Sequence, residues 1–492
     1  MHKDKRPTTE VGQLTLTFVL PETEPKDAAQ ETQTSAPADN ESPLSTVCRD
    51  IVGSVHDEVK PPGASAGRKR KWNSLIDKVY AYRTIEQAWD LVRGNNGAAG
   101  VDGMTIARFE RDAPAFLEAL CKDLREKTYR PSPVRRVMIP KASGGMRPLG
   151  IPTVRDRIVQ QALRQVLEPI YEEKFSSRSH GFRPERGCHT AISVVDKAIA
   201  YGYSWVVDAD IRSFFDTVDH EKLIDAVAEE VADGRILKLI RQILKSGVQL
   251  PSVTGIEPTE VGTPQGGPAS PLLANIYLHT FDVQMVEAGY GLVRYADDWV
   301  VFAKSESEAT SALEKARQIL EGQLGLALHP EKTRVVSIAS GFEFLGFHYF
   351  VDPKRGLQCK EVRQTSVLRF RTAIRERTPR LICQRPFKEA NATEKRLRKN
   401  KRLAAIIKNV NVYLGGWFGY FKEVRSRYSE PFGSLDGFIR RRLRSSVTGR
   451  TGSGWWNFRL TNRMWKNMGL ITLTERHQKH SAGLAPAAAR KR

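Results

Sequence analysis

The segment GLVRYADDWVVFAKS (291–305) sets apolar runs on either side of Ala296, Asp297 and Asp298, the pattern of two strands joined by a tight turn. Such apolar runs belong in a buried sheet, and the turn carries two acids to the tip of the hairpin. By itself that pair is equally the mark of an ordinary turn, because Asp readily bonds its own backbone there.

A second acidic strand gives the pair a partner. WVVDADIRSFFDTVDHEKL (205–223) begins apolar at Trp205–Val207, then places Asp208 and Asp210 at the strand end and Asp216 on the following turn. Acids on a buried strand are costly unless paired or bound to metal. Asp210, Asp297 and Asp298 together offer hard oxygen ligands of the kind Mg²⁺ takes. Nucleotidyl transfer needs such a clamp, with two divalent ions about 3.5–4 Å apart, one activating the attacking hydroxyl and one holding the triphosphate.

Charge points to the partner. Lys and Arg total 77 against 56 Asp and Glu, a net +21, yet residues 351–492 hold 34 basic and 9 acidic side chains while residues 1–350 hold 43 and 47. The excess lies in the last third, which suits a polyanion such as nucleic acid. The five cysteines, at 48, 121, 188, 359 and 383, form no CxxC pair, so neither a zinc site nor a disulfide framework is expected. No run of about 18 apolar residues occurs, and the N-terminus lacks the apolar core of a signal peptide, so the expectation is a non-exported cytoplasmic protein with no membrane partner.

The pattern along the chain reads as α+β. Residues 1–70 are rich in Thr, Pro, Ser and Glu, with only GQLTLTFVL strand-like, and read as a mostly disordered leader. Helices are expected over IDKVYAYRTIEQAWDLVR, RDAPAFLEALCKDLREKTY and RIVQQALRQVLEPIYEEKF, with a strand at VRRVMIPK. After about residue 354 strands are expected to give way to basic helices, RQTSVLRFRTAIRERT and KRLRKNKRLAAIIKNVNVYLGGWFGYF. This divides the chain into 71–350, a helical 351–450 and a short basic, Trp-containing 451–492, a candidate DNA-binding segment.

Tyr295-Ala296-Asp297-Asp298 resembles the YxDD box of reverse transcriptases, and Asp210 falls where their first metal-binding aspartate lies. Further blocks follow in the same order: IPKASGGMRPLGIPTVRDRIVQQAL, SHGFRPERGCHTAI, GTPQGGPASPLLANIYLHTFD, LGLALHPEKTRVV and GFEFLGF. The resemblance implies a right-hand polymerase fold, with fingers and an antiparallel palm sheet bearing the YADD hairpin, followed by a helical thumb. It implies two Mg²⁺ ions and dNTP substrates. Lys141 and Arg147 would neutralise the incoming triphosphate, Phe215 would exclude a ribose 2′-hydroxyl, Gln265 would contact the nucleotide, and Lys332 would donate a proton to pyrophosphate. A plain basic loop and simple core packing remain the alternatives for the first pair and for Phe215.

The flanks resemble one branch of that family. NNGAAGVDGMT and KNVNVYLGGWFGYFKEVRSRYSEPFGSLDGFIRRRLR are similar to the extension and maturase-specific regions of bacterial group II intron enzymes. That implies a ribonucleoprotein with group II intron RNA, assistance to splicing, and copying of the intron into DNA at a primed DNA target. Arg425, Arg427, Arg440, Arg441, Arg442 and Arg444 are candidate phosphate contacts. Trp417, Phe418, Tyr420 and Phe421 either stack bases or, the reading preferred here, pack helices. No paired-cysteine module follows Trp455, Trp456 and Trp465, so an endonuclease-lacking member is expected. A splicing cofactor with little polymerase activity and a retron or defence-type polymerase are the competing readings.

Overall fold

A computed structural model of the chain describes residues 71–140, 145–250, 255–257, 259–263, 266–379, 392–448 and 460–484. The leader, and GQLTLTFVL within it, lies outside the described residues. Gly67–Arg492 forms one compact unit.

The first expected helix divides: after a short turn at Ile76–Val79, Ala81 takes an extended conformation and α1 runs over Tyr82–Gly94. Then come α2 (Ala113–Glu126), the hairpin β1 (Val134–Pro140) and β2 (Met146–Ile151), and α3 (Val154–Glu172). Thr153 starts α3 by accepting a hydrogen bond from the Asp156 amide, as an N-cap residue should. After α4 (Cys188–Ala200) come β3 (Trp205–Asp210), α5 (His220–Ala228), α6 (Gly234–Leu244), the short β4 (Val248–Gln249) and β5 (Ile256–Glu257), and α7 (Ser270–Glu287). In α6, Ile236, Leu239, Ile240 and Ile243 recur at helical spacing and are buried. The chain continues through β6 (Gly291–Tyr295), β7 (Asp298–Ala303), α8 (Glu306–Arg317), β8 (Arg334–Ser337), β9 (Phe342–Phe344), β10 (Phe347–Val351) and β11 (Gln358–Val362). Four helices follow: α9 (Gln364–Arg377), α10 (Ala392–Phe421), α11 (Gly433–Thr448) and, beyond a short turn at Asn462–Asn467, α12 (Leu473–Leu484).

The central sheet has the order β6-β7-β3-β8 and all its pairings are antiparallel. Both faces are covered, which is why its strands read as continuous apolar runs rather than alternating ones. Val207, Ala209, Trp299 and Val301 face a core shared with α3, α6 and α7. Val206, Val300 and Phe302 face a second core, shared with β9, β10 and helices α9–α11. Each fully buried large side chain there, Phe302 or Phe342 for instance, contributes roughly 1.5–3 kcal/mol.

Two expectations shift. The boundary placed near residue 350 falls inside β10, in the middle of that second core. Strand structure also runs past 354: Phe347–Val351 pairs antiparallel with Gln358–Val362, and the three-stranded β11-β10-β9 sheet precedes the helices. QCKEV hides its strand because Gln358, Lys360 and Glu361 are polar, and pairing with Phe347 and Tyr349 supplies the order its own pattern lacks.

Candidate active site

The face of β3 that buries Val206 presents Asp208 and Asp210 further along, where the apolar cover ends. Across the ladder, Val206 is opposite Phe302, Asp208 is opposite Val300 and Asp210 is opposite Asp298. Tyr295 pairs with Asp298 across the hairpin, leaving Ala296 and Asp297 as its turn. Ala296 takes a left-handed φ of +59°, a conformation that costs an alanine about 1–2 kcal/mol. Register and turn together bring Asp210, Asp297 and Asp298 to one sheet end.

Their electrostatics follow from that crowding. Burial, then the carboxylates of Asp297, Asp208 and Asp210, push the Asp298 carboxyl up to about 8. Burial, and then Asp210, also raise Asp297. Asp208 is raised by burial against the pull of Arg334, its cross-strand neighbour on β8, whose Nε and Nη2 donate to Oδ2 at 3.1 and 2.9 Å. Lys332 donates from Nζ to the Asp210 carboxylate. Among the described residues no three acidic, histidine or cysteine side chains stand as a finished metal cage. The donor set nevertheless fits Mg²⁺: it is all oxygen, it is crowded with like charge that a divalent cation relieves, and Asp210 already takes an ammonium as its cationic partner.

A cavity of about 310 Å³ is lined by Phe215, Asp216, Gly262, Arg136 and Gly150, and not by Asp210, Asp297 or Asp298. Phe215 is half-buried and sets its ring edge-on to the buried Phe214 at 5.2 Å, so it packs the core and borders the cavity at once. Arg147 does not reach this cavity. It pairs with Ile139, on the face of the β1–β2 hairpin opposite the one carrying Arg136 and Gly150. Arg136 is a cation on that cavity that the sequence reading did not single out. Lys141 and Gln265 lie outside the described residues.

A second cavity, about 410 Å³, opens from Asp298 past Gly346, Arg363 and Arg369 to Trp417 and Tyr420. The aromatic residues of α10 mainly pack: Trp417 meets Phe370 and Phe421 at 4.7 Å, and Tyr420 stacks on Phe347 at 6.0 Å. Phe418 and Phe421 are buried. The six candidate arginines divide. Arg425 and Arg441 are exposed, Arg427 lies over the Phe350 ring at 5.0 Å, and Arg440 borders a cavity with Arg463 and Lys466. Arg442 donates to the Thr378 carbonyl at 3.2 Å and Arg444 to that of Leu460 at 3.0 Å, so both fasten the chain to itself. Trp465 is buried; Trp455 and Trp456 lie outside the described residues.

Residues 139–349 match the reverse transcriptase (RNA-dependent DNA polymerase) family and residues 388–465 the group II intron maturase-specific domain. Protein YkfC of Escherichia coli (strain K12) is 36% identical over 285 residues, which are 50% of this chain and 74% of YkfC. The group II intron-encoded protein LtrA of Lactococcus lactis subsp. cremoris is 45% identical over 218 residues, 42% of this chain and 35% of LtrA. An uncharacterized 91 kDa protein in the cob intron of Schizosaccharomyces pombe is 41% identical over 182 residues, 37% of this chain and 21% of that protein. The chain thus spans most of one relative and about a third or less of the two intron proteins. No helix among the described residues is long and apolar enough to cross a membrane.

Proposed function

The chain belongs to the group II intron-encoded reverse transcriptase and maturase family, and from that premise we infer that it copies RNA into DNA and binds its intron RNA to assist splicing. The observation that carries the polymerase reading is the register of Asp210 opposite Asp298, beside the Asp297 turn. Asp210 and Asp297, with Asp298 adjacent, would hold the two Mg²⁺ ions. When bound, the ions acidify the primer 3′-hydroxyl and neutralise the triphosphate. The central sheet is then the palm, the β1–β2 hairpin belongs to the fingers, and helices α9–α11 form the thumb.

In the step itself, the 3′-oxygen forms a bond to the α-phosphorus, the bond from that phosphorus to the bridging oxygen breaks, and pyrophosphate leaves. Charge grows on the leaving oxygens, and fixed cations aimed there stabilise it. Lys141 and Arg147 are the fingers cations for that task, Arg147 lying on the hairpin face it shares with Leu149, whose side chain approaches Gly266. Gln265 contacts the nucleotide. Lys332 sits beside Asp210, where its ammonium can pass a proton to pyrophosphate. Phe215, five residues beyond Asp210 and half-buried, is the ring that would exclude a ribose 2′-hydroxyl. The groove from Asp298 past Arg363 and Arg369 suits the primer end. Exposed arginines of the basic last third, Arg425 and Arg441 first among them, would hold intron RNA.

Primer extension on an RNA template with Mg²⁺ and dNTPs tests the reading. Incorporation by the wild-type chain is the expected result, and its absence with intact intron binding would leave the splicing-cofactor reading instead.

A further inference from the structure

Arg294 and Asp282 are both fully buried, with no exposed side-chain surface. Neither touches the carboxylates' open face, and the chemistry above uses neither. A buried ion pair is poor evidence for stability, because its desolvation offsets the attraction and an apolar pair of similar volume often does as well. Something else must explain this one, and its geometry supplies a reason.

All five guanidinium N–H bonds of Arg294 are directed to partners. Nε and Nη2 donate to the two Asp282 oxygens at 2.6 and 2.5 Å, and Nη2 also donates to Ser179 Oγ at 2.8 Å. Nη1 donates to Asn275 Oδ1 at 3.1 Å and to the Ala296 carbonyl at 2.9 Å. The last bond lands on the turn itself, at the left-handed residue immediately before Asp297. Backbone bonds tie the same place down: the His180 amide donates to the Arg294 carbonyl and the Arg294 amide to that of Arg178, each at 2.9 Å. Asn275 Nδ2 closes the loop by donating to the Gly181 carbonyl at 2.8 Å. Gly181 lies so close beneath the turn that a Cβ there would be 2.4 Å from the Ala296 nitrogen.

We propose that Arg294, anchored by Asp282, is a positioning residue that sets the Ala296–Asp297 turn and so fixes where the Asp297 carboxylate meets its cation. One planar fork joins α7, the 178–181 segment and the hairpin. A lysine, with a single point charge, cannot reproduce those five directions. The inference rests on the polymerase reading for what the turn does, but not for how the turn is held.

The test is the full chain carrying Arg294→Met with Asp282→Leu, an apolar replacement of the pair. Hydrogen exchange at Ala296 and Asp297 is expected to quicken by about tenfold while the melting temperature stays near wild type. In primer extension, kcat should fall about 100-fold, as for a misplaced catalytic group, with the KM for dNTP little changed and the half-saturating Mg²⁺ concentration raised. Arg294→Lys should not rescue. If the double variant fails to fold, Ser179→Ala, which removes one of the five bonds, and Gly181→Ala, which pushes on the turn, carry the same readouts. Wild-type exchange at Ala296 and Asp297 together with wild-type kcat and Mg²⁺ dependence would overturn the proposal. If the wild-type chain itself extends no primer, the polymerase reading falls, and the exchange measurement still decides how the turn is held.

Discussion

Asp210 and Asp298 stand directly opposite one another in the antiparallel ladder of β3 and β7. Like charges in that relation destabilise a sheet, and adding Asp297 at the neighbouring turn makes the cost larger. Apolar residues would suit both positions better, since the same faces carry Val206, Val300 and Phe302 two and four residues further in. The sheet gives up stability at this end, which is what a cation site requires.

Phe215, five residues beyond Asp210, is the residue proposed to select the sugar. Phe215→Val is expected to relax discrimination between dGTP and GTP, because it removes the ring bordering the cavity while the buried Phe214 keeps the core filled. Single-nucleotide extension measures the ratio of kcat/KM for the two substrates. An unchanged ratio would reduce Phe215 to a packing residue.

The arginines of the last third separate into two experiments. Arg425→Gln and Arg441→Gln alter exposed guanidiniums, and each is expected to weaken intron RNA binding and lower the salt slope by about one. Arg442→Gln loses bonds to Thr378 on α9's end, so it should lower the melting temperature and leave the salt slope nearly unchanged. A slope lowered equally by all three would erase the distinction. Simple truncation cannot make it: a cut after Lys354 strips α9–α11 from Phe302, Phe342 and Phe344, and the fragment is expected to aggregate.

These cases mark how far the sequence reaches. The three aspartates were legible because strand runs and a turn leave few places for an acid, and most helices were legible from their spacing. Residue type does not tell where a side chain points. Arg442 and Arg444 read as phosphate ligands, yet they bond the chain's own carbonyls. Arg136 and Arg147 are alike in sequence, and only the β1–β2 register puts one of them in the cavity. Arg294 did leave a signal, a cation inside the apolar run GLVRY, but of the four residues that take its five bonds only Ala296 is a near neighbour in the chain, while Asp282, Asn275 and Ser179 are brought to it by the fold.

His180, in the segment beneath the Ala296–Asp297 turn, gives a pH dependence. Burial first, then the positive charges of Arg186, Arg183, Arg178 and Arg294, lower its pKa from 6.5 to about 3. Between those values the unfolded chain binds a proton that the native state does not, so stability is full above 6.5 and falls as pH drops toward 3. This one group contributes a slope of up to about 1.4 kcal/mol per pH unit. His180→Gln should flatten the acid limb between about pH 6.5 and pH 5, above the range where most carboxylates titrate. Denaturant unfolding across that range measures it, and an unaltered limb would mean His180 is protonated in the folded protein.

Asp297→Asn should separate the two activities most sharply. Asparagine keeps the size and one oxygen but lacks the charge that holds Mg²⁺, so primer extension should fall by about 1000-fold or more, as expected when a ligand acting chiefly in the transition state is lost. The fold should survive, because burial and Asp210 already disfavour the charged form of Asp297, and neutralising it relieves the cluster. Splicing should survive for another reason. An intron that carries out its own chemistry asks the protein for surface and positive charge, and those lie in the basic last third, in residues such as Arg425 and Arg441. Primer extension on an RNA template and splicing of the cognate intron at low Mg²⁺ are measured in parallel on the folded variant. Undiminished extension removes Asp297 from the metal site. Loss of both activities in a variant of normal melting temperature shows that the acidic turn also serves the RNA, and that the polymerase and splicing surfaces are one.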